Sequence, residues 1–269
     1  MNAIKLSSTA TREFWEIPVL FEDEHLLALA KPPLLATSPD RYNPERPSLI
    51  KLLHSDIQRG APWAKGRALT YLMNAHRLDF ETSGVLLLAK SKAALIAIAN
   101  LFGSENVNSK FLALIQGAPQ EQTMTIEAKL APNPLTIGLF RVDEREGKRA
   151  RTQVSIRERF AGYTLLECQP LTHRLHQIRA HLRHIGCAIV GDGDYGGAPL
   201  LLSELKPGYR LKPKRTERPL ISHTALHAEQ LSLSHPMNQT PLSVAAPWPK
   251  DLIVGVKYLR RYAGGLPAQ

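Results

Sequence analysis

Residues 74–91 of the chain, NAHRLDFETSGVLLLAKS, place a dense set of polar side chains directly before an apolar run. A carboxylate beside a cation, in a turn that leads into a buried strand, stays ionised and is able to act as a nucleophile or a base. Asp79, two residues after Arg77, fits this description better than Glu81, which alternates to the other side of an extended turn. The alternative is that Asp79 and Thr82 only cap the turn.

A second candidate for chemistry is the histidine-rich segment 172–186, THRLHQIRAHLRHIG. Its apolar residues recur at spacings of three and four, which predicts one face of a helix that ends at Gly186. Pairs of histidines one turn apart (His173 with His176, His181 with His184) have a spacing that suits zinc. Because no cysteine or carboxylate lies in the same stretch, we expect no metal and interpret these side chains as facing solvent, RNA or backbone groups.

Several signatures of common active sites do not occur in the sequence. GxxxxGK[ST], GxGxxG, GxSxG and HExxH have no match. The sequence therefore gives no support to a phosphate-binding P-loop, a dinucleotide-binding turn, a hydrolase nucleophile elbow or a zinc-protease helix.

Strand patterns dominate the elements that must position these residues. Apolar runs and turn residues predict strands within 17–31, 84–90, 109–117, 124–131, 152–160, 163–170 and 223–236. Helices are predicted over 48–57, 91–103 and 172–186, with Ser91 as the N-cap of the second. This order favours an α+β fold with a mixed, largely antiparallel sheet. Since no convincing linker divides the chain, we expect an N-terminal arm (1–17), one domain (18–252) and a C-terminal tail (253–269).

The overall charge is strongly basic, with a net charge of +10 and a pI of about 9.7. Such a surface attracts polyanions, and RNA or DNA is the leading candidate, although a generally basic protein is the alternative. Two cysteines form no disulfide framework and favour a reducing compartment. No signal peptide or membrane-spanning run is evident, so we expect a soluble, cytoplasmic protein.

Four segments resemble, in the same order, the motifs of the RluA-type RNA pseudouridine synthases. HRLDFETSGVLLLAK (76–90) is similar to the family's HRLDxxTSGxLLxAK, and GKRART (147–152) is similar to GKxAxT. Residues 171–197 resemble the TGRTHQIRxHLxxxGxPIxGDxxYG segment, and LHAEQLSLSHP (226–236) resembles LHAxxLxFxHP. The likeness runs from about residue 18 to about residue 252, which is nearly the whole chain.

The resemblance implies a pseudouridine synthase fold with a catalytic cleft, and an isomerase that converts uridine in RNA to pseudouridine. Asp79 would be the catalytic aspartate, Arg179 the cation paired with it, and Phe111 an apolar wall for the uracil. The residues that would contact RNA are His76, Arg77, Thr82, Ser83, Lys148, Arg174 and His176. Asp79 would either attack carbon or remove a sugar proton to give a glycal, and the sequence does not choose between these routes.

Two departures from the family pattern concern the site. Phe111 stands where the family has a tyrosine in KxYxA, so the ring is able to stack on uracil but offers no hydroxyl for proton transfer at C5. In the segment matched to TGRTH, His173 and Leu175 replace a glycine and a threonine, which affects local backbone contacts rather than the position of Arg179.

The basic loop 204–219 is a further candidate for binding RNA, with a merely solvated loop as the alternative. Its cations are Lys206, Arg210, Lys212, Lys214, Arg215 and Arg218.

Together these features predict an RNA pseudouridine synthase that acts alone, as a monomer, on a loop or bulge of rRNA or tRNA. The isomerisation neither oxidises nor adds anything, so we expect no cofactor and no metal, and we expect neither DNA nor a membrane as partner. The alternatives are a non-enzymatic RNA-binding or RNA-folding protein on the same scaffold, and a zinc-dependent nuclease that uses the histidine-rich segment.

Overall fold

The chain folds into two compact units. The structure, a computed structural model, describes residues 3–211, 215–264 and 266–267. The first unit comprises Met1–Ser109 and Ala228–Pro247, and the second comprises Lys110–His227 and Trp248–Gln269. The boundaries of the single domain predicted over 18–252 stay a prediction.

Antiparallel strands form the framework of the first unit. β1 (Ala3–Ser8), β2 (Glu13–Glu22), β3 (Leu26–Lys31) and β5 (Ser83–Ala89) pair in that order, each antiparallel to the next. β4 (Met73–Asn74) also pairs with β5, and β13 (Pro241–Ala245) pairs with β12 (Leu226–Ser234). Most of the segment expected as an N-terminal arm therefore lies in β1 and β2, where Ile4 and Leu6 are buried.

In the described part of the first unit the helices are α1 (Leu49–Gln58), α2 (Pro62–Lys65) and α3 (Lys92–Gly103). Ser91 caps α3 as predicted, since its side chain accepts the Ala94 N–H at 3.2 Å. One apolar cluster packs β3, β5 and α3 together through Ala28, Leu87 and Ile98. β5 is buried along its whole length, so the residues that precede it are fixed at a rigid base.

The second unit is also largely antiparallel. Its strands are β6 (Asn108–Gln116), β7 (Thr123–Glu127), β8 (Leu130–Pro132), β9 (Phe140–Val142), β10 (Arg151–Phe160), β11 (Tyr163–Pro170) and β14 (Leu266–Pro267). β6 pairs with β11, β11 with β10, and β10 also with β7 and β14, while β8 and β9 form a separate hairpin. The single strand predicted over 124–131 is therefore two, β7 and β8, which pair with different partners.

Helices α4 (Gln177–His184), α5 (Leu202–Leu205) and α6 (Lys250–Tyr262) belong to this second unit. α6 buries Leu252, Val256 and Leu259 in the same apolar cluster as β6 and β11, so most of the predicted tail is helix. With few helices and mainly antiparallel strands in both units, the predicted α+β class is confirmed.

Helix α4 is shorter than the predicted helix over 172–186. His176, directly before it, has a left-handed backbone (φ 54°), which an α-helix does not continue through. The Gln177 side chain accepts the Thr172 hydroxyl at 2.8 Å and the Arg174 N–H at 3.1 Å. These bonds hold 172–176 as a turn, so the helical prediction was wrong for that third of the segment.

Candidate active site

Asp79 lies in the connection between β4 and β5 of the first unit and is partly buried. Its carbonyl oxygen accepts the Thr82 N–H at 3.1 Å, so the main chain of Asp79 closes the turn that leads into β5. Thr82 and Ser83, which the resemblance assigns to RNA binding, are both buried at the start of β5. Arg77 is exposed, as an RNA contact requires.

Hydrogen bonds to neighbouring elements fix the loop that carries Asp79. The Thr37 hydroxyl donates to the Leu78 carbonyl at 2.8 Å and accepts the Leu78 N–H at 3.1 Å. His76 Nε2 accepts the Leu87 N–H of β5 at 3.0 Å, and its ring stacks on Phe102 with centroids 5.1 Å apart. His76 thus has a structural role in the loop, and its contact with RNA stays a prediction.

Lys31, at the end of β3, is a member of this site that the sequence reading missed. The residue is only 1% exposed, and its ammonium donates to the carbonyls of Pro32 (2.9 Å), Leu35 (2.7 Å) and, more weakly, Phe80 (3.4 Å). Burial lowers the pKa of Lys31 to about 7, and the negative charge of Asp79 acts in the opposite direction. The signal in the sequence was a lysine that ends the apolar run LLALA and precedes two prolines.

Arg179 lies on α4 in the second unit and is 6% exposed. Its guanidinium makes a bidentate ion pair with Asp192, with Nε–Oδ2 and Nη2–Oδ1 distances of 2.7 Å, and Nη2 lies 3.1 Å from Asp194 Oδ2. The guanidinium also lies over the Tyr195 ring, with its carbon 4.7 Å from the ring centre. These contacts fix the orientation of the guanidinium. The predicted pairing of Arg179 with Asp79 joins residues of the two units and stays a prediction.

Phe111 lies on β6 of the second unit, opposite Cys168 of β11. Its ring is partly buried against the apolar cluster of that unit.

Cys168 itself is fully buried. Burial raises the pKa of the Cys168 thiol far above its usual range, so this cysteine is inert.

The other predicted RNA contacts differ in their exposure. Lys148 is exposed, and so is Arg174, whose Nε donates to the Arg149 carbonyl at 3.2 Å. His176 is partly buried and bonds through Nδ1 to the Tyr195 hydroxyl at 2.9 Å. Arg215 is exposed, whereas Lys212 and Lys214 lie outside the described residues.

The surroundings of His181 show what one histidine of segment 172–186 contacts. His181 is fully buried between the Thr152 hydroxyl (2.9 Å) and the Ala128 carbonyl (3.0 Å), and burial lowers its pKa. In the part of the chain that the structure describes, no three His, Cys, Asp or Glu side chains are arranged to hold a metal ion. Likewise, no helix within 3–211, 215–264 and 266–267 is long and apolar enough to cross a membrane.

Comparison with known proteins decides the family. Residues 25–184 match the family model described as RNA pseudouridylate synthase. The chain belongs to the RNA pseudouridylate synthase family. It is therefore an isomerase that converts uridine in RNA to pseudouridine, and the RluA-type resemblance of the four motifs is confirmed.

Curated relatives of this pseudouridine synthase carry ribosomal names. Ribosomal large subunit pseudouridine synthase D of Xylella fastidiosa is 34% identical over 242 residues, which are 88% of this chain and 67% of the relative. Ribosomal large subunit pseudouridine synthase C of Salmonella typhi is 32% identical over 247 residues, which are 91% and 70% of the two chains. The pseudouridine synthase thus spans about two thirds of the length of these relatives.

Solved structures of other family members have the same fold. Human RNA Pseudouridylate Synthase Domain Containing 1 superposes with a TM-score of 0.64 at 22% identity, covering 94% of this chain and 90% of the other. For Human RNA Pseudouridylate Synthase Domain Containing 4 the TM-score is 0.66 at 23% identity, with 90% and 92% covered. The predicted pseudouridine synthase fold is thereby confirmed.

Proposed function

We propose that this pseudouridine synthase isomerises a uridine of large-subunit ribosomal RNA, with Asp79 as the catalytic carboxylate. The observation that carries the choice of RNA is the similarity over about nine tenths of the chain to relatives named as ribosomal large subunit pseudouridine synthases. The sequence alone predicted either rRNA or tRNA as the substrate, and this similarity narrows the proposed substrate to large-subunit rRNA. The cytoplasmic location and the monomeric state stay predictions.

The support for Asp79 comes from its surroundings within the first unit. The loop is held from Thr37 and from β5, so the carboxylate needs little reorganisation before it reacts. Lys31 provides an ammonium whose titration Asp79 influences, which places a second charged group in the electrostatic environment of the carboxylate. A carboxylate fixed in such a place is suited to nucleophilic or base catalysis.

The reaction requires that the C1′–N1 bond of uridine break and that a C5–C1′ bond form. On one route Asp79 attacks C1′ and the uracil leaves with the electron pair of the C1′–N1 bond. The uracil then turns, C5 bonds to C1′ as the carboxylate is displaced, and N1 gains a proton as C5 loses one. On the other route Asp79 takes the C2′ proton of the sugar while the uracil leaves with the electron pair of the C1′–N1 bond, which gives a glycal. C5 of the turned uracil then bonds to C1′ as the proton returns to C2′, and N1 gains a proton as C5 loses one. The target must leave its stack for either route, at a cost of a few kcal/mol, which a loop or bulge reduces.

Two residues of the second unit have supporting roles in this proposal. Arg179, oriented by Asp192, supplies a fixed guanidinium for an anionic group of the site. Phe111 supplies an apolar surface for the uracil and, lacking a hydroxyl, takes no proton from C5.

Release of tritium from large-subunit rRNA labelled at C5 of uridine tests the proposal. Asp79→Asn is expected to abolish release, because an amide neither attacks C1′ nor removes a proton. Glu81→Gln is the matched control: it removes the neighbouring carboxylate of the same loop and is expected to retain release. Unchanged release by the Asp79 variant would remove Asp79 from the mechanism.

The non-enzymatic RNA-binding protein that the sequence left open is not retained as a candidate, because the chain belongs to a family of isomerases.

A further inference from the structure

A loop of the first unit, residues 38–47, is attached together with the adjacent Thr37 to β4 and to the Asp79 loop at three points. The Thr37 hydroxyl, at its start, bonds to both backbone groups of Leu78. The Ser38 hydroxyl donates to Asn74 Oδ1 at 3.2 Å. At the far end, the guanidinium carbon of Arg46 lies 4.2 Å from the centre of the Phe80 ring. Because Phe80 follows Asp79 directly, the two loops form one structural piece within this unit.

Loop 38–47 is also ordered internally, and Asp40 is the residue that organises it. Asp40 Oδ2 accepts from Arg46 Nη1 at 2.9 Å, while Oδ1 accepts the Tyr42 N–H at 2.9 Å. The Arg46 N–H donates to the Asn43 carbonyl at 3.1 Å, which closes the turn between them. One carboxylate thus fixes both the backbone at Tyr42 and the side chain that contacts Phe80.

Loop 38–47 presents an aromatic ring and a cation to solvent, together with the exposed residues Pro39, Asn43, Pro44 and Glu45. Tyr42 is 66% exposed, one of the most exposed large hydrophobic residues in the described part of the chain, and the adjacent Arg41 is exposed as well. The ordering of an aromatic ring on a fixed loop costs free energy that the ring does not recover by packing. An exposed aromatic residue beside an arginine is the combination with which proteins bind unpaired nucleotides, the ring by stacking and the cation at the phosphate.

We propose that Tyr42 and Arg41 bind the nucleotide next to the target uridine, Tyr42 by stacking on its base and Arg41 through its phosphate. The inference rests on the proposed function, because that function brings an extruded uridine to Asp79. The loop is fixed to Phe80, so a strand whose uridine reaches Asp79 has a neighbouring nucleotide in the region of loop 38–47. The net charge of +10 favours RNA over an ordinary protein partner here. Tyr42 would then contribute to the choice of uridine.

The test compares Tyr42→Ala, Tyr42→Phe and a control, Phe14→Ala, on in vitro-transcribed large-subunit rRNA. Phe14 is a similarly exposed aromatic residue of the same unit (61%), located on β2. Stacking of one base corresponds to a factor of roughly 5 to 150 in affinity. Tyr42→Ala should therefore raise KM by such a factor, whereas Tyr42→Phe, which keeps the ring, and Phe14→Ala should not change it.

Combining the Tyr42 variant with a change in the RNA distinguishes stacking from a general loss of binding. Once the modified uridine is mapped, a short RNA is made in which either neighbour is replaced by an abasic nucleotide. On the side where Tyr42 stacks, the missing base should raise the wild-type KM by about the factor seen for Tyr42→Ala. When Tyr42→Ala acts on the abasic RNA, KM should be raised by no more than either change raises it alone. If, for each neighbour, the KM factor of the combined change equals the product of the two separate factors, the inference is overturned.

The outcomes also separate this inference from the proposed function. If the wild-type protein forms no pseudouridine in rRNA, the proposed function fails. If the wild type is active, Asp79→Asn is inactive and Tyr42→Ala equals the wild type on naked rRNA, only the role of Tyr42 fails. A defect of Tyr42→Ala on ribosomal particles but not on naked rRNA would indicate a protein partner and would equally overturn the nucleotide contact.

Discussion

Arg179 and Asp192 form a buried, bidentate ion pair in the second unit, with both N–O distances at 2.7 Å. The Asp192 side chain is only 1% exposed, whereas that of Asp194, the second acid on the same guanidinium, is 60% exposed. The pair fixes the orientation of the Arg179 guanidinium within this unit. We therefore expect Asp192 and Asp194, the two acids that contact Arg179, to contribute very differently to the free energy of unfolding.

We predict that Asp192→Asn destabilises the protein by about 3–5 kcal/mol, because it leaves the buried Arg179 charge without its main counter-ion. Asp194→Asn, the matched control, should cost at most about 1 kcal/mol, since that carboxylate is solvated. Chemical denaturation of both variants measures the difference. Equal losses would show that the buried pair is not the stronger of the two.

The burial of Lys31 leads us to predict an unusual dependence of the free energy of unfolding on pH. Its pKa is about 7 in the folded protein and 10.5 in the free side chain, so between these values the unfolded chain binds more protons than the folded one. The free energy of unfolding should therefore rise with pH across this window, by up to ~1.4 kcal/mol per pH unit from this group. Below pH 7 both states carry the proton, and the contribution of Lys31 is flat.

Lys31→Met should remove this rise, which denaturant titrations at pH 7, 8 and 9 would measure. Lys51→Met, at an exposed lysine of α1, is the control and should leave the slope as in the wild type. A slope that survives in the Lys31 variant would assign the pH dependence to other groups.

The elements that local patterns determine could be predicted from the sequence. β5 and α3 were found because a continuous apolar run and a capped apolar helix are decided within ten or so residues. The start of α4 was missed because the long side chain of Gln177 bonds to Thr172 and Arg174, and periodicity does not detect such a bond.

Contacts between distant parts of the chain were not predictable in this way. The burial of Lys31 depends on the carbonyls of Leu35 and of Phe80, the latter 49 residues along the chain. The resemblance likewise paired Arg179 only with Asp79, whereas the structure shows Asp192, in the acidic turn GDGDYG, as a buried partner. Family motifs predicted candidate site residues, but not the side chains that hold those residues in place.

Phe111→Tyr is predicted to retain or raise turnover, because it restores the hydroxyl that the family pattern has at this position. A positioned proton-transfer group contributes typically ~10²–10⁴-fold, which sets the upper limit of any gain. Phe111→Leu, which removes the ring, should instead raise KM, since stacking on the uracil is lost. Steady-state tritium release gives kcat and KM for both variants, and complete inactivity of the tyrosine variant would show that residue 111 does not line the uracil site.

The basic loop 204–219 is predicted to bind the RNA backbone. Glu217 Oε1, near the end of the loop, accepts the N–H of Ser203, which directly precedes the loop, at 2.8 Å. The described cations Lys206, Arg210, Arg215 and Arg218 are exposed. Replacement of its six Lys and Arg residues by serine should weaken rRNA binding. It should also reduce the slope of log K against log salt by ~0.7–0.9 for each phosphate that the loop no longer neutralises.

The control for the loop removes the same amount of charge elsewhere. Six exposed cations outside the loop are changed to serine in one variant: Lys5, Arg12, Lys51, Lys65, Lys92 and Lys257. If the loop grips RNA directly, its variant loses both affinity and salt slope, whereas the control loses little of either, because charges beyond about 10 Å are screened at 0.1 M salt. Equal losses in the two variants would mean that net charge alone attracts the RNA, and an unchanged loop variant would leave 204–219 as a solvated surface loop.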